Sequence, residues 1–262
     1  KAATYDSWKD ASSNKIVATT GNAGTAWRIY DGHTTPLLTS LFKGVITVTG
    51  LTVEYNGQNH TADISQLTFV PTLSDTSHIF LADSVGRNVG TYGSLYSDQQ
   101  GYDLVNDKTL TITPIALTAT LTGNNVFTKE YDGDATVDQT LTLGSTYTLD
   151  KVVSGDTVSI ATNTTGSYNN KNAGNGKTIS YTGIALTGAD AGNYTIADTL
   201  SADVGKITQK DLTAALIDTS SISKTYDGTD KVTTALTKGT NYQFTGMVDG
   251  DALNLTGTGK YT

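Results

Sequence analysis

The side chains best suited to chemistry lie in two nearly identical polar segments, KEYDGD at residues 129–134 and KTYDGT at residues 224–229. In the first segment, Asp132 and Asp134 could supply carboxylate oxygens, which are the ligands that hard cations such as Ca2+ prefer. Lys129 and Glu130 could instead donate and accept protons. The segment would then be either a cation site or a proton-transfer site.

The recurrence of this segment favours an architectural interpretation. Every folding unit must rebuild its own corner, whereas a catalytic loop is normally needed once. We expect the tyrosine to lie at a strand end with its ring over the core and its hydroxyl on a backbone acceptor. Asp-Gly would make the turn, with glycine at positive φ. A third version has Asn56, which suits a turn but carries no charge. We therefore predict no catalytic, cofactor-binding or metal-binding residue, and no cofactor.

Two alternatives stay open at these corners. A calcium loop of the EF-hand type would need a third oxygen ligand at Thr136 and a glycine in place of Val137, and the spacing of its aspartates is not kept at Asp227 and Asp230. A calcium site in a loop between units stays open. The second alternative is an intramolecular amide between a buried lysine and a neighbouring Asp or Asn. Lys129 and Lys224 are the candidates, because both precede the recurring tyrosine.

Other catalytic groups are scarce. The chain has no cysteine, which excludes thiol chemistry and disulfides, and its only glutamates are Glu54 and Glu130. His33, His60 and His78 are scattered, and no Gly-x-Ser-x-Gly elbow accompanies them. We predict that the protein is not an enzyme.

The chain contains an internal repeat with an offset of 95 residues, the separation of Tyr131 and Tyr226. The same offset aligns further residues without a gap: Leu117-Thr118-Ala119 with Leu212-Thr213-Ala214, Lys129 with Lys224, Val137 with Val232, Tyr147 with Tyr242, and Gly155-Asp156 with Gly250-Asp251. A shorter copy contains VEYNGQNHTADI at 53–64. We predict four segments: 1–44, 45–114, 115–210 and a truncated copy at 211–262.

Composition predicts an all-β protein. Thr favours strands, and Gly, Asn and Asp favour turns, while the usual helix formers are scarce. Short alternating segments suit small β domains, either Ig-like sandwiches or β-grasp-like units, in an elongated array. The net charge of −8 argues against nucleic acid. No apolar run is long enough to cross a bilayer, so we expect no membrane insertion.

The copies at 115–210 and 211–262 resemble the YDG-type repeats of filamentous-haemagglutinin-like, two-partner-secreted bacterial adhesins, and the shorter unit at 45–114 resembles the related β domains interleaved with them. The resemblance rests on KEYDG and KTYDG, and on NKNAGNGKTISYTGIALTGADAGNYTI at 170–196. Upstream, WRIYDG at 27–32 and the Pro-Leu-Leu run at 36–38 are similar to the segment that follows the β-helix in such proteins. The resemblance implies that residues 1–44, with Trp8 and Trp27, are a β-solenoid cap.

For function, we expect a non-enzymatic stalk or spacer of a secreted or surface-anchored adhesin. The alternative is a carbohydrate- or protein-binding module that adheres directly, with Tyr and Asn-rich loops such as GSYNNKNAG at 166–174 stacking on sugars. The resemblance implies type V secretion, an outer-membrane-associated location, and a role in attachment or biofilm formation. We expect a monomer whose partner is a host or bacterial surface glycan or protein. The N-terminal Lys and the truncated last copy suggest a piece of a longer array.

Overall fold

The computed structural model describes residues 27–30, 32–105, 108–123, 125–161, 164–220, 222–256 and 259–260. The predicted all-β class is confirmed: these residues form short strands, with single 3-10 turns at Thr39–Leu41, Ile64–Gln66 and Ala191–Asn193. Within the described residues no helix is long and apolar enough to traverse a lipid bilayer.

The strands lie between turns rich in Gly, Asn and Asp, as the composition predicts. In chain order they are β1 (Trp27–Arg28), β2 (Leu37–Leu38), β3 (Val45–Thr49), β4 (Leu51–Glu54), β5 (His60–Thr61), β6 (Thr68–Val70), β7 (Ile79–Ala82), β8 (Val85–Gly86), β9 (Gly90–Tyr92), β10 (Ser94–Ser97), β11 (Asp103–Val105), β12 (Leu110–Thr113), β13 (Ile115–Ala116), β14 (Ala119–Leu121), β15 (Thr128–Glu130), β16 (Thr136–Val137), β17 (Tyr147–Leu149), β18 (Ser159–Ile160), β19 (Gly166–Tyr168), β20 (Gly174–Thr182), β21 (Leu186–Thr187), β22 (Tyr194–Thr195), β23 (Thr199–Thr208), β24 (Thr213–Leu216), β25 (Lys231–Val232), β26 (Tyr242–Thr245) and β27 (Gly259–Lys260).

The chain folds into two compact units, and each gathers several stretches of sequence. The first unit contains Lys1–Thr118, Asp150–Ser159 and Leu186–Ile196. The second contains the remaining stretches: Ala119–Leu149, Ile160–Ala185 and Ala197–Thr262. Each unit therefore includes residues from two successive sequence copies. The copy boundaries themselves stay a prediction.

The first unit has two three-stranded mixed sheets. One has the order β11-β3-β6, and the other has the order β4-β12-β9. In each sheet one pair is parallel, β11 with β3 and β12 with β4, while the other pair is antiparallel. Alternating burial along β3 and β12 puts one apolar face of each strand inside the protein.

The segment that carries WRIY packs into the first unit. Tyr30 and Leu37 join a core cluster with Ile46, Val48, Leu67, Ile79, Leu95 and Leu104. Arg28 is 1% exposed, and its Nε lies 3.2 Å from the Asp103 carboxylate. A buried cation is costly unless it is paired, so this contact fixes the segment on β11. Residues 1–26 and 31, including Trp8, lie outside the described residues, and the solenoid cap stays a prediction.

The second unit is built on a five-stranded sheet with the order β15-β23-β20-β19-β16. Its pairs are antiparallel except for β15 with β23, which run parallel. Tyr168, Ile179, Tyr181 and Ile207 are buried on this sheet. The strand that leads into the KEYDG corner is thus held against the strand that closes the same copy.

One strand pair of the second unit recurs with the 95-residue offset: β14 with β17 corresponds to β24 with β26. In β14 and β17, Leu121 pairs with Tyr147, and in β24 and β26, Leu216 pairs with Tyr242. The hydroxyls of these tyrosines both accept a hydrogen bond from a backbone amide, that of Ile160 (2.6 Å) and that of Leu255 (3.1 Å). The second and third copies therefore share the register of this strand pair and the hydrogen bond accepted by its tyrosine.

Candidate functional site

The KEYDG segment begins inside β15, which contains Lys129 and Glu130, and turns after it. The Tyr131 amide donates to the Thr208 carbonyl (2.9 Å), which extends the parallel β15–β23 pairing by one residue. The chain then turns: the Asp134 amide donates to the Asp132 carboxylate (3.2 Å), and Gly133 adopts a φ of +92°. Positive φ is the reason for glycine here, and this part of the sequence prediction is confirmed.

The buried Lys129 side chain pairs with both aspartates of the KEYDG turn. Its ammonium lies 2.9 Å from Asp132 Oδ2 and 2.7 Å from Asp134 Oδ1, while its side chain is 5% exposed. Burial by itself lowers the pKa of Lys129, but the hydrogen bonds to Asp134 and Asp132 outweigh burial and raise it. The same contact lowers the pKa of Asp134, and it lowers that of Asp132 against the opposing effect of burial. All three groups are therefore charged at neutral pH.

The third copy rebuilds this corner with one substitution. The Lys224 ammonium lies 2.7 Å from Asp227 Oδ1 and 2.8 Å from the Thr229 hydroxyl, which replaces the second aspartate. The hydrogen bonds from Lys224 and from Thr229 lower the pKa of Asp227 to about 2. In the first copy, Asn56 caps its own turn by accepting from the Gln58 amide (2.9 Å). The turn is common to all three copies, but the lysine pair is not.

The cation-site and proton-transfer interpretations find little support in this geometry. The Lys129 ammonium already occupies the position between Asp132 and Asp134 that a metal ion would take. Glu130 points elsewhere and pairs with the Lys210 ammonium at 2.7 Å. Across the described ranges, no group of three or more His, Cys, Asp or Glu side chains is placed to hold a metal.

The hydroxyl of the corner tyrosine contacts the following copy. In the first unit, the Tyr55 hydroxyl donates to Asp156 Oδ2 (2.8 Å), and the Tyr194 hydroxyl donates to the same oxygen (2.5 Å). Tyr55 is 1% exposed and the Asp156 side chain 3%. Burial, followed by the hydrogen bond to Asp156, raises the pKa of Tyr55 and raises that of Tyr194 to about 12. The Arg87 guanidinium, 4.0 Å from Asp156 Oδ1, gives the carboxylate a distant counter-charge.

The same contact recurs inside the second unit. The Tyr131 hydroxyl donates to Asp251 Oδ1 (2.9 Å), and this hydrogen bond, followed by burial, raises the pKa of Tyr131. Asp251 is the 95-residue counterpart of Asp156, just as Tyr131 matches Tyr55 in the shorter copy. We call residues 153–156 and 248–251, VSGD and VDGD, the Val-x-Gly-Asp loops.

The corner glycine also contacts the Val-x-Gly-Asp loop. A methyl group added at Gly57 would lie 2.8 Å from Val153 Cγ1, and one added at Gly133 would lie 2.6 Å from Val248 Cγ1. Each glycine thus serves both the turn and the close approach of a valine from the next copy. Tyrosine and glycine together form a socket for the valine and aspartate of that loop.

The expectation of a backbone acceptor for the corner tyrosine is therefore wrong. The acceptor is a side-chain carboxylate from a loop of the following copy, Asp156 for Tyr55 and Asp251 for Tyr131. Sequence reasoning missed this role of the Val-x-Gly-Asp loop. Its signal was the match of Gly155-Asp156 with Gly250-Asp251, which recurs in step with the tyrosine.

The three histidines lie apart in the first unit. His33 stacks on the Tyr96 ring with centroids 4.5 Å apart, and His60 Nε2 lies 2.9 Å from the Asn56 side-chain oxygen. His78 Nδ1 lies 2.8 Å from Asp98 Oδ2, but the nearby Ser97 hydroxyl donates to the His78 backbone carbonyl. A serine, a histidine and an aspartate thus meet without the serine–imidazole hydrogen bond that activates a nucleophile.

A comparison with protein families finds a YDG domain at residues 113–202, a stretch that includes the KEYDG corner and the first full Val-x-Gly-Asp loop. The comparisons with curated proteins and with solved structures found no match.

Proposed function

We propose that this chain, which carries a YDG domain at residues 113–202, is a non-enzymatic spacer from a secreted or surface-anchored bacterial adhesin. Tandem β repeats would hold an adhesive part of the molecule away from the cell. The support from the sequence is the resemblance to filamentous-haemagglutinin-like exoproteins, together with a charge of −8 that suits an exposed, soluble chain.

The observation that carries the proposal is the recurring contact between a corner tyrosine and the aspartate of the next copy. It joins Tyr55 to Asp156 and Tyr131 to Asp251. A spacer must limit hinge motion between its repeats, and a hydrogen bond to a charged acceptor contributes about 1.5–3 kcal/mol to such a contact. In this proposal, the tyrosine–aspartate contacts restrict movement between successive repeats.

Small-angle X-ray scattering on the 262-residue chain tests the spacer role. A compact globule of this length has a radius of gyration of about 18 Å. The spacer proposal expects a clearly larger value and a distance distribution with a long tail. A symmetrical distribution near the compact value would contradict it.

Direct binding of carbohydrate is the second candidate, and an aromatic groove in the first unit favours it. Phe80, 38% exposed, stacks beside Tyr96 with centroids 5.2 Å apart, in a groove also lined by Asp63, Thr68 and Thr76. An exposed ring beside polar side chains is suited to a sugar. By contrast, Tyr168 of the Asn-rich loop is 3% exposed and cannot stack on a ligand.

A glycan array separates the two candidates. Saturable binding that disappears in a Phe80→Ala variant, with Leu216→Ala as an exposed control in the other unit, would favour direct adhesion. The spacer proposal expects no saturable binding by either the parent chain or the variants.

The proposed location is the bacterial surface, reached by two-partner secretion, with a role in attachment or biofilm formation. Antibody labelling of intact cells that produce the natural protein tests it. Surface labelling that is lost when the partner transporter is deleted is the expected result, and a signal confined to permeabilised cells would contradict it.

A further inference from the structure

The corner of the third copy is complete but open. Lys224 pairs with Asp227 and Thr229, so the turn itself is formed. Tyr226, however, is 91% exposed, and a methyl group added at Gly228 would meet nothing within 4 Å. In the other two copies the equivalent tyrosine and glycine both face a Val-x-Gly-Asp loop.

The two filled corners define what this open corner can accept. In each, the tyrosine hydroxyl faces the aspartate carboxylate of a Val-x-Gly-Asp loop. The glycine faces the valine of that loop, which precedes the aspartate by three residues. The loops have a common shape, because the aspartate amide donates to the valine carbonyl in both: Asp156 to Val153 (3.1 Å) and Asp251 to Val248 (3.2 Å). A ligand must therefore offer an acid and a β-branched side chain at a fixed spacing.

We infer that the Tyr226–Gly228 corner is a docking site for the Val-x-Gly-Asp loop of a further YDG repeat. The inference deepens the proposed spacer function and rests on it for its biological meaning. Both loops in this chain are already engaged, by Tyr55 and by Tyr131, so an unmodified second molecule has no free loop to offer. The occupant is an additional repeat.

An extended chain provides that repeat. The 95-residue offset places Ser167 opposite Thr262, so a second copy of residues 168–262 appended after Thr262 continues the repeat in register. The addition completes the third copy and supplies a new loop with its own counterpart of Asp251. Nitration by tetranitromethane, followed by peptide mapping, then measures the accessibility of Tyr226 and Tyr131 in one molecule.

In the 262-residue chain, Tyr226 should be nitrated rapidly and Tyr131 slowly. In the extended chain, nitration of Tyr226 should slow by about tenfold or more, the protection expected from a hydrogen bond to a charged acceptor. Replacing the appended counterpart of Asp251 by alanine should restore the rate at Tyr226 and leave Tyr131 protected. In the original chain, the matched variant Asp251→Ala should speed nitration of Tyr131 and leave the rate at Tyr226 unchanged.

Unchanged nitration of Tyr226 in the extended chain, with Tyr131 still protected, would overturn the inference. Protection that survives the alanine substitution would also overturn it, since completion of the third copy alone would then cover the ring. Rapid nitration of both Tyr131 and Tyr226 in the extended chain would count against the inference, because the added repeat would then have disrupted the existing contact between Tyr131 and Asp251. None of these results depends on the scattering or labelling tests, so the inference and the spacer proposal can fail separately.

Discussion

The Tyr131 hydroxyl donates a 2.9 Å hydrogen bond to the Asp251 carboxylate, 120 residues further along the chain. That separation exceeds the 95-residue repeat, so the two partners belong to successive copies. Tyr55 and Asp156 form the same contact in the other compact unit. The corner tyrosine therefore links successive copies at Tyr55 and at Tyr131. At Tyr131, the contacts of Lys129 with Asp132 and Asp134 also hold the neighbouring turn.

Removal of the hydroxyl in Tyr55→Phe should destabilise the first unit by about 1–2 kcal/mol, because the buried Asp156 carboxylate loses one of its two tyrosine donors. Urea unfolding measures the change. Tyr226→Phe is the matched control, because its hydroxyl is exposed, and its effect should stay within about 0.5 kcal/mol. Equal effects of the two variants would contradict a structural role for the Tyr55 contact.

Two glycine substitutions in the second unit separate backbone strain from contact with the loop. Gly133→Ala and Gly228→Ala both place a side chain at positive φ, +92° and +77°, which costs about 1–2 kcal/mol in each case. Only the methyl at Gly133 meets Val248, at 2.6 Å. Gly133→Ala should therefore lower the free energy of unfolding clearly further than Gly228→Ala. Equal losses would mean that Val248 moves aside without cost.

Part of this structure was readable from the sequence. Scarce Glu and abundant Thr predict strands, and the Asp-Gly pair predicts the turn at Gly133, because these are local preferences. The parallel pairing of β15 with β23 was not predictable in the same way, since it joins residues about 80 positions apart through tertiary packing.

The hydrogen-bond acceptor of the corner tyrosine was also unpredictable from local sequence preferences, because it lies in a distant part of the chain. Nothing in KEYDG shows whether the hydroxyl meets a carbonyl or a carboxylate. The recurrence of Asp156 and Asp251 in step with the tyrosine carried the information, but only their placement at 2.8 and 2.9 Å identifies the contact. Burial of Arg28 against Asp103 was likewise invisible, because an isolated arginine in a sequence is normally exposed.

Acid should weaken the lysine corners. The pKa of Asp227 is lowered to about 2 by Lys224 and Thr229, while an unfolded aspartate titrates near about 3.9. Its contribution is therefore present above pH 4 and is lost as the pH falls towards 2. Asp227→Asn should be less stable than the parent at pH 6, and the two should converge at pH 2. Unfolding by urea at several pH values measures this, and a difference that does not vary with pH would contradict it.

Lys129 should remain a free amine. Its pKa is raised by Asp134 and Asp132 despite burial, so the protonated form that dominates cannot attack a carboxyl group. An amide with either aspartate would release one water molecule. Intact-mass spectrometry should therefore give the full sequence mass, and Lys129→Met should differ only by the substitution. A deficit of one water that disappears in Lys129→Met would show the cross-link.

Alkali should destabilise the first unit through Tyr194. Burial and the hydrogen bond to Asp156 raise the pKa of this hydroxyl to about 12, whereas the phenol of an unfolded chain titrates near about 10. A raised folded pKa means that the stabilising contribution is complete below pH 10 and is lost as the pH rises towards 12. Unfolding free energies between pH 8 and 12 should fall less steeply in Tyr194→Phe than in the parent chain. Tyr226→Phe, which alters an exposed hydroxyl, should retain the parent slope. Identical slopes in all three proteins would show that Tyr194 ionises as readily in the folded protein as in the unfolded chain.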